Sequence, residues 1–164
     1  MPEQHPEILI VGSGAMGALF GAILFENGRN VVLYDTDHEH IQAIQKNGLQ
    51  IEGFGGNRKV PIPATTDLSQ LESAEILLFQ CKAHGTRNAA QAVKHLIRDH
   101  SVCISFQNGL GNEEVISEEL GHQYVLGGLT AMAAVLLGPG TLRDFSRVPS
   151  HIGEMQGKTS ARTK

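Results

Sequence analysis

The sequence predicts an α/β fold, a doubly wound and mostly parallel sheet with antiparallel additions near the C-terminus. Three observations predict it. A β-favouring apolar run, Ile8-Leu9-Ile10-Val11, ends in Gly12-Ser13-Gly14-Ala15-Met16-Gly17 and passes at once into a helical pattern. Further apolar runs at 31–34, 74–80 and 102–106 alternate with helical periodicity, the order that βαβ crossovers impose. Late in the chain, Gly138-Pro139-Gly140 separates two extended stretches as a hairpin turn does.

Residues 7–12 are expected as the first strand and Ala15 to Asn27 as the first helix. Ala15, Ala18, Gly21 and Ala22 form a small-residue face able to lie close on a sheet, and Gly28 suits the helix end. Val31 to Tyr34 reads as the second strand and His38 to Lys46 as the second helix, stopped by Asn47-Gly48. Leu49 to Glu52 alternates like a short strand, and Lys59 to Pro63 returns as an extended piece whose prolines suit an edge. Ala74 to Gln80 has the length of a buried parallel strand, which delivers Cys81-Lys82 to its carboxyl end. Ala89, Ala92, Val93, Leu96 and Ile97 place a helix over 86–99, and Val102 to Phe106 gives the next strand. Glu113 to Leu120 reads as a short helix and Tyr124 to Leu126 as a strand. Thr130 to Leu137 and Thr141 to Phe145 form the hairpin, and 151–154 closes the regular part.

The 164 residues suit one domain with a substantial core. An excess of 17 acids over 13 bases, without a basic run, argues against nucleic acid or an anionic membrane as partner. Cys81 and Cys103 lie in or at the end of apolar runs and read as reduced core residues. With no secretory signal or apolar run of spanning length, the cytoplasm is the expected setting.

The chemistry concentrates at the glycine motif. Gly12 allows the tight turn out of the strand, Gly14 lets a pyrophosphate approach the backbone, and Gly17 lets the helix pack on the strand. The helix then presents unpaired N–H groups and its positive dipole end to the phosphates. Strand before, helix after and an acid downstream make this a Rossmann-type dinucleotide site, against the plainer reading of a glycine-rich turn. Asp35 follows Gly17 by eighteen residues, where a carboxylate bonds the adenosine ribose hydroxyls and repels a 2′-phosphate. NAD(H) is therefore favoured over NADP(H). The plainer reading makes Asp35 or Asp37 a helix cap, and the two are compatible if Asp37 caps while Asp35 binds ribose.

Lys82 and Asn108 stand at carboxyl ends of strands, where open α/β sheets bind ligands. Lys82 suits a ribose, phosphate or substrate carboxylate, and Asn108 the nicotinamide ribose or a substrate oxygen. A solvated lysine and a turn asparagine are the ordinary alternatives. The histidines lack metal-ligand spacing and read as surface or loop residues, so no metal is expected. Gly-x-Ser-x-Gly, His-Glu-x-x-His, Cys-x-x-Cys and P-loop patterns are absent from the sequence.

Several separated segments together resemble the ketopantoate reductase (2-dehydropantoate 2-reductase) family. They are Ile10 to Gly17, Lys46-Asn47-Gly48-Leu49-Gln50-Ile51, Cys81-Lys82-Ala83, Gln107-Asn108-Gly109-Leu110-Gly111-Asn112-Glu113, Gly138-Pro139-Gly140 and Ile152-Gly153-Glu154. The resemblance spans nearly the whole chain. It implies cofactor and substrate contacts at Lys82 and Asn108, and Ala134 against the cofactor. These join Gly12, Ser13, Gly14, Ala15, Met16, Gly17 and Asp35 as the expected cofactor set. It also implies reduction of ketopantoate, or a related 2-keto acid, by hydride transfer from a nicotinamide, on the route through pantoate to pantothenate. Members commonly carry an arginine near the end of the second strand for NADPH, where this chain has Tyr34-Asp35-Thr36-Asp37.

The family has a second, helical domain that supplies a general-acid lysine, and this sequence ends about where that domain should begin. The expected organisation is a dinucleotide-binding domain at 1–157 and a polar tail at 158–164, mobile by itself, leading into the absent domain. Such a chain should bind NAD(H) weakly, turn over little, and expose an apolar patch at the carboxyl edge of the sheet that favours self-association. Two other functions fit the residues: a non-catalytic NAD(P)-binding module, and the nucleotide domain of another dehydrogenase acting on a hydroxyacyl, sugar-acid or glycerol-phosphate substrate.

Overall fold

Every residue of the first strand, β1 (Ile8–Val11), is buried, because helices cover both faces of the sheet it centres. The computed structural model describes residues 4–157 and 159–163. After β1 come α1 (Ala15–Glu26), β2 (Val31–Tyr34), α2 (His38–Asn47), β3 (Leu49–Gly53), β4 (Arg58–Val60) and β5 (Ala64–Thr65). Then follow β6 (Ile76–Phe79), α3 (Thr86–Val93), β7 (Val102–Ser105), α4 (Asn112–Leu120), β8 (Val125–Leu129), β9 (Ala133–Gly138), β10 (Thr141–Ser146) and β11 (His151–Glu154).

The main sheet has the order β11-β8-β7-β6-β1-β2-β5. All its neighbours run parallel except β11, which joins β8 antiparallel. This is the expected doubly wound sheet with an antiparallel addition. The winding reverses between β1 and β6, so their carboxyl ends diverge into a crevice.

Alternation along the strands sorts the core into two layers. Ile8, Ile10, Val31, Leu33 and Leu78 face α1, α2 and a second sheet. Leu9, Val11, Val32, Leu77, Phe79 and Cys103 face α3 and α4. Each fully buried leucine or isoleucine contributes about 1.5–3 kcal/mol of transfer free energy.

The hairpin takes a place the sequence did not indicate. β9 and β10 pair antiparallel, but within a separate four-stranded sheet of order β4-β3-β10-β9, where β10 runs parallel to β3. α1 lies between the main sheet and this second one and touches both β9 and β10. That burial explains an unbroken buried run from Gly17 to Ala22, where a surface helix would alternate. The prolines of the expected edge piece, Pro61 and Pro63, lie between two edge strands, β4 and the short β5.

Three further expectations are corrected. The helix over 86–99 ends as α-helix at Val93, and a 3-10 turn covers Lys94–Leu96. There the Arg98 guanidinium donates to the carbonyls of His95 and Ile97, while its backbone N–H donates to Ser101 Oγ, a local turn that competes with the helix. His40, grouped with the surface histidines, is buried at 3 % exposure. The tail is not loose over 159–163: Arg162 donates to both Glu154 oxygens and to the carbonyls of Gln123 and Val125, and Ser160 Oγ donates to Glu154. Lys158 and Lys164 of that tail lie outside the described residues, as does Met1.

Cys103 is a free thiol in the core, pushed up to about 12 by burial. No helix among the described residues is long and apolar enough to cross a membrane. Exposed apolar side chains include Leu110, Leu129 and Ile152 toward the carboxyl edge and Val135, Leu137 and Phe145 on the hairpin.

The Arg162 and Ser160 contacts hold the Glu154 carboxyl at about 2, below its ordinary 4.5. A depressed carboxyl stabilises the fold above the unfolded value and loses that contribution as pH falls through the folded one. Hydrogen-exchange protection at 159–163, relative to intrinsic exchange at each pH, should therefore fall between about pH 4.5 and 2, and Glu154→Gln should remove most of that loss.

Candidate functional site

The site is built where β1 and β6 part. The N–H groups of Gln80 and Cys81 both donate to the Val11 carbonyl, at 2.9 and 3.2 Å, so the strand ends stay in contact until the chain turns away. Gly12 makes that turn at φ +97°, and a Cβ on it would lie 2.4 Å from Cys81 N. A Cβ on Gly17 would lie 2.0 Å from Gly12 O, which presses the helix onto the turn. Gly14 is different in kind: nothing lies within 4 Å of where its Cβ would be. The three glycines thus divide the work as the motif requires, two for packing and one for open space over the backbone.

That open space sits at the N-terminus of α1. Gly14 caps the helix without a side-chain hydrogen bond, and the first turn carries no acid. Its leading N–H groups and positive dipole end remain available to an anion. An uncapped helix end under an empty glycine position is what a diphosphate needs, so these residues fit a dinucleotide.

Asp35, just past β2, turns its carboxylate back to the loop. Oδ2 accepts from Ser13 N–H at 2.8 Å and Oδ1 from Asp37 N–H at 3.1 Å. Each oxygen keeps acceptor capacity for a ribose hydroxyl. Asp37 caps α2 by accepting from His40 N–H at 3.0 Å, so the two acids divide capping and site positions as the sequence allowed.

A cleft of about 590 Å³ opens here, with Gly12, Gly14, Asp35 and Lys82 in its wall. Tyr34, Asn88, Ala89 and Ala92 add a half-apolar side suited to a flat ring. Burial, then the Asp35 charge, raises the Tyr34 hydroxyl above its ordinary value. Cys81 is a correction: it is half-buried and lines the cleft instead of the core, with its thiol raised mainly by burial. Of the other expected residues, Ser13 and Gly17 are buried beneath the loop, while Ala15 and Met16 are half-buried in the first turn of α1. Asn108 is exposed in the loop after β7, outside the cleft wall. Ala134 lies on β9, opposite Asp144 and packed toward the core.

Residues the sequence did not single out hold the Asn108 loop. Gln107 Nε2 donates to the Cys81 carbonyl at 2.7 Å and to Thr86 Oγ1 at 2.8 Å, tying the end of β7 to that of β6. Thr86 Oγ1 donates to Asn112 Oδ1, and Asn112 Nδ2 donates to the carbonyls of Asn108 and Gly109. A polar cluster around Gln107-Asn108-Gly109 was the available signal, but its partners lie more than twenty residues away. No group of three or more His, Cys, Asp or Glu side chains suited to a metal ion occurs among the described residues.

The family profile described as "Ketopantoate reductase PanE/ApbA" matches residues 8–157. The chain belongs to the ketopantoate reductase family. Among curated relatives, the 2-dehydropantoate 2-reductase of Pyrococcus horikoshii is 39% identical over 147 residues, 90% of this chain and 47% of the relative. That of Halobacterium salinarum is 30% identical over 156 residues, 94% of this chain and 51% of the relative. The chain thus spans about half the length of these ketopantoate reductases. Among solved structures, the putative 2-dehydropantoate 2-reductase from Enterococcus faecalis superposes with TM-score 0.83 at 28% identity, over 90% of this chain and 48% of that one. A ternary structure of D-mandelate dehydrogenase with NADH and anilino(oxo)acetate matches with TM-score 0.82 at 27% identity, over 92% and 50%.

The glycines separate by experiment. Gly12→Ala and Gly17→Ala should each destabilise the fold by about 1–3 kcal/mol in urea unfolding, because backbone occupies the added methyl's position. Gly14→Ala should stay within about 1 kcal/mol of the unmodified chain.

Proposed function

We propose that this chain is the nicotinamide-dinucleotide-binding part of an oxidoreductase that reduces a 2-keto acid to a 2-hydroxy acid, with NAD(H) favoured over NADP(H). One observation carries the cofactor reading: the Asp35 carboxylate is fixed by two backbone N–H groups beside the open end of α1. A carboxylate so held meets ribose hydroxyls with acceptors and a 2′-phosphate with like charge.

A bound reduced nicotinamide supplies the hydride for reduction of a ketone. The chain's own groups bind and orient. The N–H groups from Gly14 onward take the diphosphate, with Gly12, Ser13, Ala15, Met16 and Gly17 shaping the turn and first helical residues. Lys82 offers an ammonium to a ribose or a substrate carboxylate, and Asn108 offers a donor and an acceptor to the nicotinamide ribose or a substrate oxygen. The family resemblance puts Ala134 against the cofactor, while its place on β9, packed toward the core, lies outside the cleft wall that holds Asp35 and Lys82. The proton that completes the alcohol is assigned to the general-acid lysine that the family resemblance implies.

Ketopantoate is the first substrate to test, from the names of the relatives. The likeness to D-mandelate dehydrogenase favours a second reading, the 2-keto acid corresponding to mandelate. Assayed at the length of its relatives, the protein should separate the two by kcat/KM, and Lys82→Ala should raise KM for the preferred keto acid.

For the chain itself, fluorescence titration should give NADH a Kd at least about tenfold below that of NADPH, as one added like charge implies. Asp35→Ala should bring the two values together. Tighter binding of NADPH by the unmodified chain would overturn the assignment of Asp35.

A further inference from the structure

Ser13 is clamped from both sides. Its N–H goes to Asp35, and its carbonyl oxygen lies 2.9 Å from Nε2 of His40 on α2. His40 is 3 % exposed, and its other ring nitrogen, Nδ1, lies 3.1 Å from the backbone N–H of Gly140. A backbone N–H only donates, so Nδ1 is the acceptor and the ring's proton sits on Nε2, where it donates to the Ser13 carbonyl. The contact with Gly140, one hundred residues away in sequence, thus fixes the tautomer that the glycine loop needs.

The Ser13–Gly14 peptide is trans, like every described peptide of the chain. In a trans peptide the C=O and the following N–H point in opposite directions. Drawing the Ser13 carbonyl toward α2 therefore turns the Gly14 N–H the other way, away from α2. Gly140 is itself held against α2: its φ is +68°, a Cβ on it would lie 2.9 Å from Ala43 Cβ, and its carbonyl accepts from Gln50 N–H at 2.8 Å. The turn of the β9–β10 hairpin is thereby tied through one imidazole to the first residues of the glycine motif.

We propose that His40 is a positioning residue for diphosphate recognition, aiming the Gly14 N–H through the Ser13 carbonyl, with Gly140 setting its tautomer. The proposal rests on the dinucleotide reading above. His40 touches no ligand. It acts through the peptide it holds.

Two substitutions divide its contacts. In His40→Gln the amide nitrogen stands where Nε2 was and keeps the bond to Ser13. In His40→Asn the amide oxygen stands where Nδ1 was and keeps the bond to Gly140. ADP-ribose, which carries the diphosphate, and adenosine, which does not, are the probes, titrated into the chain by calorimetry and NMR. His40→Asn should weaken ADP-ribose by about tenfold or more and leave adenosine within about twofold, while His40→Gln keeps ADP-ribose within about threefold. A merely structural role would lower both ligands together and give no rescue by glutamine. Either that pattern or undiminished ADP-ribose binding by His40→Asn overturns the proposal. In the unmodified chain, imidazole nitrogen shifts should report the Nε2–H form, and an Nδ1–H form overturns it even if neither variant folds. Failure of the unmodified chain to bind ADP-ribose overturns the dinucleotide reading, and this proposal with it.

Discussion

One steric fact at the end of β1 organises the molecule: the peptide leaving the strand has no room for a side chain. The backbone of Cys81 occupies the place a Gly12 methyl would take, and Gly12 O occupies the place a Gly17 methyl would take. Strand, turn and helix are therefore wedged into one arrangement. Because β6 stays bonded to Val11 up to that turn, the sheet opens only beyond it. The cleft exists because the glycines let three backbones meet below it and leave the space above Gly14 empty.

Around that wedge the polar groups are spent on holding the loop in one orientation. Asp35 takes one end of Ser13, and the amide network from Gln107 to Asn112 fixes the neighbouring loop. Buried polar groups of this kind are costly when unmatched, since a lost partner leaves a desolvated donor or acceptor behind. Their cost is tolerable here because nearly every member has a partner. The Ser13 hydroxyl and Gln80 amide nitrogen are exceptions beside the cleft, buried without a protein partner.

Much of this was legible in the chain. β1, β2, β6 and β7 were visible as short apolar runs because a parallel sheet buried on both faces leaves no polar alternation to confuse them. The glycine spacing located the turn, and Asp35 was placed by distance alone. What was not legible depends on pairing across sequence distance. The parallel match of β10 with β3 joins Leu142 to Ile51, and no local pattern announces it. His40 read as a surface histidine because its spacing shows no partner; it is buried between the Ser13 carbonyl and the Gly140 N–H, both distant in sequence. Asn108 was read correctly as a loop residue at a strand end, but it lies outside the wall of the cleft that holds Asp35 and Lys82.

The position of α1 between two sheets has a consequence for how this protein is free to change over time. An ordinary surface helix drifts in composition on its outer side while its inner side is conserved by packing. Here both sides are inner sides: Gly21 faces Leu33 and Ile10 of one layer and Ile62 beside them, while β9 and β10 close over the opposite side. Enlarging Gly21 would press on Leu33, Ile10 and Ile62, and enlarging Gly17 would press on Gly12 and Gln80. Evolutionary latitude should be narrowest in this helix, and adaptation to new ligands is left to the loops at its ends.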